Sequence, residues 1–229
     1  MKKIEEYVKS IPDFPEKGII FRDVTSVLQD ADGLHLAIDE MQKFLEGVDF
    51  DVIAGTESRG FIFGVPIAYN LHKAFVPVRK KGKLPRETVS AEYELEYGKA
   101  EIEMHKDAIQ PGQKVVLVDD LIATGGTIEA AARLVEELGG EVVKIIFLME
   151  LEGLKGREKL KGYDVSASAD ISGYTDASSV SSWATDAMRW AVSAGLINGR
   201  TATTLAPQGN ATRAEVASIL MRFMQKYTK

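Results

Sequence analysis

Short apolar runs alternate with stretches of helical periodicity along roughly the first two-thirds of the 229-residue chain. Asp51-Val52-Ile53-Ala54-Gly55, Phe75-Val76-Pro77-Val78, Val115-Val116-Leu117-Val118 and Val142 to Met149 are continuous and apolar, the pattern of strands buried on both faces. Gly60 to Leu71 and Ile128 to Leu138 have helical spacing instead. Ile128, Ala131, Ala132, Val135 and Leu138 share one face, and Gly139-Gly140 stops the run. Strand, helix, strand in this rhythm predicts an α/β fold, a parallel sheet flanked by crossover helices. Glu92 to Glu103 alternates differently and predicts an exposed hairpin or mobile loop, in which Glu94, Glu96, Glu101 and Glu103 read as solvent-facing acids.

The pattern changes once, near residue 165. Beyond it Ala, Ser and Thr dominate, and six Lys/Arg face four Asp/Glu, a balance of +2 against −8 for the front. Ser166-Ala167-Ser168-Ala169-Asp170-Ile171-Ser172-Gly173 is small and polar and predicts a linker, so we expect one domain over 1–165 and a linker with a second module over 166–229. In that module Trp183, Ala187, Trp190, Ala191 and Ala194 fall on one helical face ended by Gly195. Val216, Ile219, Leu220, Phe223 and Met224 form a second stripe, behind a Thr212-Arg213-Ala214-Glu215 capping box.

Composition narrows the class without fixing the chemistry. Apolar residues at 45% and charged residues at 27% are ordinary for a globular chain, there is no cysteine, and no apolar run reaches bilayer length. A net charge of −6 disfavours nonspecific nucleic-acid binding. Met1-Lys2-Lys3-Ile4-Glu5-Glu6 has no secretory pattern. The expectation is a cytoplasmic enzyme acting on a small molecule, with neither nucleic acid nor membrane as partner.

Three segments carry candidate chemistry. After Val115–Val118 come two acids, Asp119-Asp120, then Leu121-Ile122-Ala123-Thr124-Gly125-Gly126-Thr127 opening a helix. Free N–H groups at a helix start bind anions, Gly125-Gly126 lets backbone approach a phosphate, and Thr124 and Thr127 add hydroxyls. The adjacent carboxylates suit ribose hydroxyls or a developing positive charge. Gly55-Thr56-Glu57-Ser58-Arg59-Gly60-Phe61 is a second strand-to-helix loop with anion donors in Ser58 and Arg59. Val78-Arg79-Lys80-Lys81-Gly82-Lys83 is a basic cluster in an acidic domain, which is also the pattern of a solvated charged face.

The Asp119 to Thr127 string resembles the phosphoribosyl pyrophosphate loop of type I phosphoribosyltransferases. The strings Ile11-Pro12-Asp13-Phe14-Pro15 and Gly18-Ile19-Ile20-Phe21-Arg22-Asp23-Val24-Thr25 resemble the N-terminal hood of the adenine-specific members. That resemblance implies a type I phosphoribosyltransferase fold with a hood, converting adenine and phosphoribosyl pyrophosphate to AMP and pyrophosphate in purine salvage. It implies a homodimer and Mg²⁺ carried by the substrate, with no dedicated protein metal site. Ala123, Thr124, Gly125, Gly126 and Thr127 would hold the 5′-phosphate and Asp119 and Asp120 the ribose. Pyrophosphate would fall to Ser58, Arg59, Arg79, Lys80, Lys83 and His105. Adenine would lie against Ile20, Phe21 and the Arg59 backbone. Glu94-Leu95-Glu96-Tyr97-Gly98 resembles the family's catalytic loop, making Glu96 the acid–base group and Tyr97 a closing residue. Family members end on an apolar strand after Gly162-Tyr163-Asp164-Val165; the Ser/Ala sequence here implies its loss.

Tyr174-Thr175-Asp176, Trp183-Ala184, Gly195-Leu196-Ile197-Asn198-Gly199 and Thr212-Arg213-Ala214-Glu215 resemble one S-layer homology repeat. That implies a small α-helical module whose ligand class is cell-wall polysaccharide, with Arg213 facing an acidic sugar.

Overall fold

The computed structural model describes residues 3–14, 17, 20–94, 98–151, 154–169, 174, 176–184, 187–188, 191–192, 196–201 and 204–227. Among these residues the chain divides into two compact units, Met1–Ser168 and Ala169–Lys229.

The first unit opens on an antiparallel pair, β1 (Lys9–Pro12) and β2 (Ile20–Asp23), which forms the hood. Ser26 ties it down: its hydroxyl accepts from the Lys9 N–H and lies 2.6 Å from the Tyr7 carbonyl and 2.7 Å from that of Asp23, with one proton shared between the two. Two helices follow, α1 (Thr25–Leu28) and α2 (Ala31–Lys43), the latter capped by the Asp30 carboxylate on the N–H groups of Asp32 and Gly33.

The main sheet then forms from β3 (Val52–Thr56), β4 (Ala74–Lys80), β5 (Thr88–Glu94), β6 (Lys99–His105), β7 (Lys114–Ile122), β8 (Glu141–Glu150) and β9 (Val165–Ala169). Its order is β5-β6-β4-β3-β7-β8-β9. The inner strands β4, β3, β7 and β8 are parallel, and all five residues of β3 are buried, as a continuous apolar run requires. β5 and β6 pair antiparallel, so the described part of the stretch expected as hairpin or mobile loop is a strand pair attached to the edge of β4, and residues 95–97 lie outside the described residues. Helices α3 (Arg59–Asn70) and α4 (Gly126–Glu137) are the crossovers, and Ile128, Ala131 and Val135 of α4 are buried in the core.

One expectation needs correction. Ser166-Ala167-Ser168-Ala169 is not a linker, and the last strand is not lost: these residues belong to β9 and extend the sheet beyond β8. An edge strand is held by main-chain pairing and needs few large side chains. Val165 and Ala167 rest against the core, and Arg157 donates to the Val165 carbonyl at 2.8 Å. Just ahead of the strand, the Asp164 carbonyl accepts from the Ile145 N–H, and its carboxylate pairs with Lys144 at 2.6 Å. Residues 170–173 of the expected linker lie outside the described residues.

In the second unit the Thr212–Glu215 capping box is present on both sides, with Glu215 N–H on Thr212 Oγ1 and Thr212 N–H on Glu215. It starts α5 (Arg213–Tyr227). Asp176 accepts from the Leu205 and Ala206 N–H groups, and Arg200 pairs with Glu215. The helical face expected around Trp183 is corrected: Trp183 lies in a separate 3-10 turn, Ser182–Ala184, and is 86% exposed. Trp190, Ala194 and Gly195 lie outside the described residues.

Close packing around Phe75 fixes how α3 lies on the sheet. A Cβ added at Gly64 would sit 2.6 Å from the Phe75 ring, which is also hemmed in by Gly55 and stacks edge-on with Phe61 at 5.7 Å. Gly64→Ala is expected to cost about 1–3 kcal/mol by overpacking, despite better helix propensity. Urea unfolding of the two proteins checks this.

Candidate active site

The parallel strands end on one side of the sheet, where ligands bind in open α/β folds. There β3 runs into the turn before α3, and β7 into the loop before α4. Both loops therefore offer the unpaired N–H groups of a helix start. Gly125 caps α4 with φ +76°, a left-handed conformation that favours glycine. Asp119, Ala123, Thr124, Gly125, Gly126 and Thr127 line a concave pocket of about 80 Å³. That is room for about two or three waters, or for one phosphate-sized group.

The two acids at the end of β7 have different surroundings. Asp119 lines the pocket and accepts from the Asp120 N–H at 2.9 Å. Asp120 is 3% exposed, and its Oδ2 lies 2.6 Å from Arg59 Nε. Burial raises the Asp119 carboxyl above the ordinary carboxylate range, and the charge of Asp120 raises it further. Burial raises Asp120 too, with Arg59 pulling the other way. The loops are also in steric contact, since a Cβ at Gly60 would meet the Val118 carbonyl at 2.6 Å.

The basic cluster is held by two acids. Glu57 accepts from Lys83 Nζ at 2.7 Å, from Arg79 Nε at 3.2 Å and from the Lys80 N–H at 3.1 Å. Burial alone would raise its pKa; these donors outweigh burial and bring it to about 2. Glu103, read from the sequence as solvent-facing, is instead 4% exposed and accepts from the Lys83 and Leu84 N–H groups, both at 2.9 Å. The alternation of Glu92 to Glu103 carries no sign of this, because the donors come from a loop some twenty residues away. Lys80 and Ser58 side chains are exposed. His105 is buried at the end of β6, and its Nδ1 has no hydrogen-bond partner among the described residues.

Phe21 stands in the hood strand β2, half-buried, with its ring 5.2 Å from that of Phe14 in an edge-on contact; Ile20 precedes it in β2. Glu96 and Tyr97 lie outside the described residues. In the second unit Arg213 is exposed at the first turn of α5. Near it Arg200, Glu215, Arg222 and Ile219 help line a cavity of about 400 Å³.

Gly156 is a site residue that sequence reasoning missed. It begins a 3-10 turn (Gly156–Leu160) that backs the phosphate loop. A Cβ there would run onto the Ala123 carbonyl and lie 2.7 Å from Ile122 Cγ1; one at Gly125 would lie 2.5 Å from the Gly156 carbonyl oxygen. Arg157 next to it pairs with buried Glu150 at 2.5 Å.

A glycine-capped helix start, paired acids at its strand end and a second strand-to-helix loop alongside are the arrangement expected of a phosphoribosyltransferase, and similarity to known proteins shows that class. Residues 28–181 match the model of the phosphoribosyl transferase domain, and residues 173–217 that of the S-layer homology domain. The adenine phosphoribosyltransferase of Lachnoclostridium phytofermentans is 78% identical over 167 residues, 73% of this chain and 96% of that protein. That of Agathobacter rectalis is 72% identical over 173 residues, 76% of this chain and 99% of the relative. The crystal structure of adenine phosphoribosyltransferase from Thermoanaerobacter pseudethanolicus superposes with a TM-score of 0.69 at 59% identity, over 72% of this chain and 95% of that one. The chain belongs to the adenine phosphoribosyltransferase family, enzymes of purine salvage, and carries an S-layer homology domain behind the catalytic unit.

Gly156→Ala is expected to push the phosphate loop out of shape. The Michaelis constant for phosphoribosyl pyrophosphate should rise about ten-fold or more, as misplaced contacts allow, while that for adenine changes little. Steady-state kinetics with each substrate varied in turn checks it.

Proposed function

We propose that the chain joins adenine to phosphoribosyl pyrophosphate, giving AMP and pyrophosphate, at the ends of β3 and β7. The observation that carries this is the phosphate-sized pocket under the α4 N-terminus with Asp119 on its wall. In this reading Ala123 to Thr127 hold the 5′-phosphate, and Asp119 and Asp120 address the ribose. As the C1′–O bond to pyrophosphate breaks, positive charge develops on the ribose ring, and an ionised carboxylate there stabilises it. Adenine N9 attacks C1′, and its N–H proton passes to Glu96 directly or through water. Closure by Tyr97 would keep water from the cation. Adenine lies against Ile20 and Phe21 under the hood, with the Arg59 backbone at its edge.

Pyrophosphate leaves toward Ser58, Arg59, Arg79, Lys80 and Lys83, with His105 assisting. Among the described residues no three His, Asp or Glu side chains converge on one point. Mg²⁺ would be held mainly by phosphate and hydroxyl oxygens of the substrate, with Asp119 on the pocket wall as the carboxylate facing it. Bound there, Mg²⁺ would neutralise charge on the departing pyrophosphate.

The homodimer reading is supported by an exposed apolar stripe on α3, formed by Ile62, Val65 and Tyr69 at helical spacing. With β9 counted in the catalytic sheet, the boundary proposed for the chain's organisation moves from 165/166 to the division between Met1–Ser168 and Ala169–Lys229. A substrate bearing several phosphate charges does not cross a bilayer unaided, which favours reaction in the cytoplasm. No helix among the described residues is long and apolar enough to cross a membrane. For the second unit, contact with an acidic cell-wall polysaccharide through exposed Arg213 is the reading that the S-layer homology match supports.

Purified protein with Mg²⁺ and phosphoribosyl pyrophosphate is expected to yield nucleotide from adenine and not from hypoxanthine or guanine. Asp119→Ala/Asp120→Ala should lose about a thousand-fold or more in rate. Nucleotide from a 6-oxopurine, or none from adenine by folded protein, would overturn the reading.

A further inference from the structure

Two acids hold the basic segment at the end of β4, and they hold different parts of it. Glu103 binds backbone, accepting from the N–H groups of Lys83 and Leu84, so it fixes the loop whatever the lysine side chain does. Glu57 instead takes the charged ends, Lys83 Nζ and Arg79 Nε, together with one backbone donor at Lys80. The Glu57 side chain is only 11% exposed, whereas Lys83 keeps 47% and Arg79 33% of theirs open to solvent. An incoming anion can therefore reach the cations without unfolding the loop beneath them. Glu57 also immediately precedes Ser58 and Arg59, so this resident carboxylate is itself part of the second strand-to-helix loop.

We propose that Glu57 is a positioning residue and built-in counter-anion, which holds Lys83 and Arg79 while the site is empty and exchanges places with pyrophosphate on them. It competes with the product for the same two cations and so speeds its departure. This rests on the reading of Arg79, Lys80 and Lys83 as the pyrophosphate cluster.

The test is product inhibition of the full-length enzyme by inorganic pyrophosphate, with phosphoribosyl pyrophosphate varied. Glu57→Gln keeps an acceptor for the Lys80 N–H and removes the charge. Its pyrophosphate inhibition constant should fall about three- to five-fold, the range for ion pairs this exposed, and the gap should narrow as salt is added. Turnover should fall with it as release slows. Glu57→Asp retains the charge and should stay within about two-fold of the parent under the same conditions. Equal or weaker inhibition of Glu57→Gln would overturn the exchange and leave Glu57 a scaffold. Lys83→Ala serves as the control for the underlying reading: weaker inhibition upholds it, and unchanged inhibition would remove the cluster from the pyrophosphate site altogether.

Discussion

Two carboxylates placed side by side where a buried strand runs out must be either neutralised or kept partly protonated. Burial raises the proton affinity of both Asp119 and Asp120, and the charge of Asp120 raises Asp119 further, while the ion pair with Arg59 offsets part of the rise at Asp120. The arrangement depends on the parallel pairing of β3 with β7, which brings the start of α3 against the end of β7. Gly60 permits that approach, since any side chain there would strike the Val118 carbonyl. Arg59, Asp120 and the phosphate loop thus form one unit.

Backbone proximity does as much as side-chain chemistry here. The phosphate loop is confined between α4 and the Gly156 turn, with two glycines facing one another across the contact. Arg157 continues from that turn to Glu150 at the end of β8 and to the Val165 carbonyl at the start of β9. The last strand before the S-layer homology unit is therefore tied to the back of the phosphate loop. This accounts for why a Ser/Ala sequence still completes the sheet: the bonds that hold it come from Arg157, Asp164 and the main chain, not from burial of large side chains.

Much of this was legible from residue patterns. The continuous apolar runs located β3, β4, β7 and β8, and the Asp-Asp and Gly-Gly signals located the loop between β7 and α4, because those features are local in sequence. What escaped was long-range. Glu103 has the alternation of an exposed strand, and only the fold brings the Lys83 and Leu84 N–H groups to it. Gly156 stands thirty residues from the loop it supports. β9 has no hydrophobic signature, so its Ser/Ala sequence reads as a linker. Trp183 had helical spacing with Ala187, yet local turns around Asp176 and Ser182 prevailed.

The most direct test of the carboxylate pair is thermal unfolding of the parent and Asp119→Asn from pH 5 to pH 8 without substrate. A raised carboxyl keeps its proton in the folded state where the unfolded chain, at an ordinary value of 3.8, has lost it. Parent stability should therefore fall as pH rises through this window. Asn preserves the acceptor for the Asp120 N–H and has no proton to lose, so the variant should melt higher, by a margin that grows toward pH 8. A margin independent of pH, or a parent that melts higher throughout, would contradict the account.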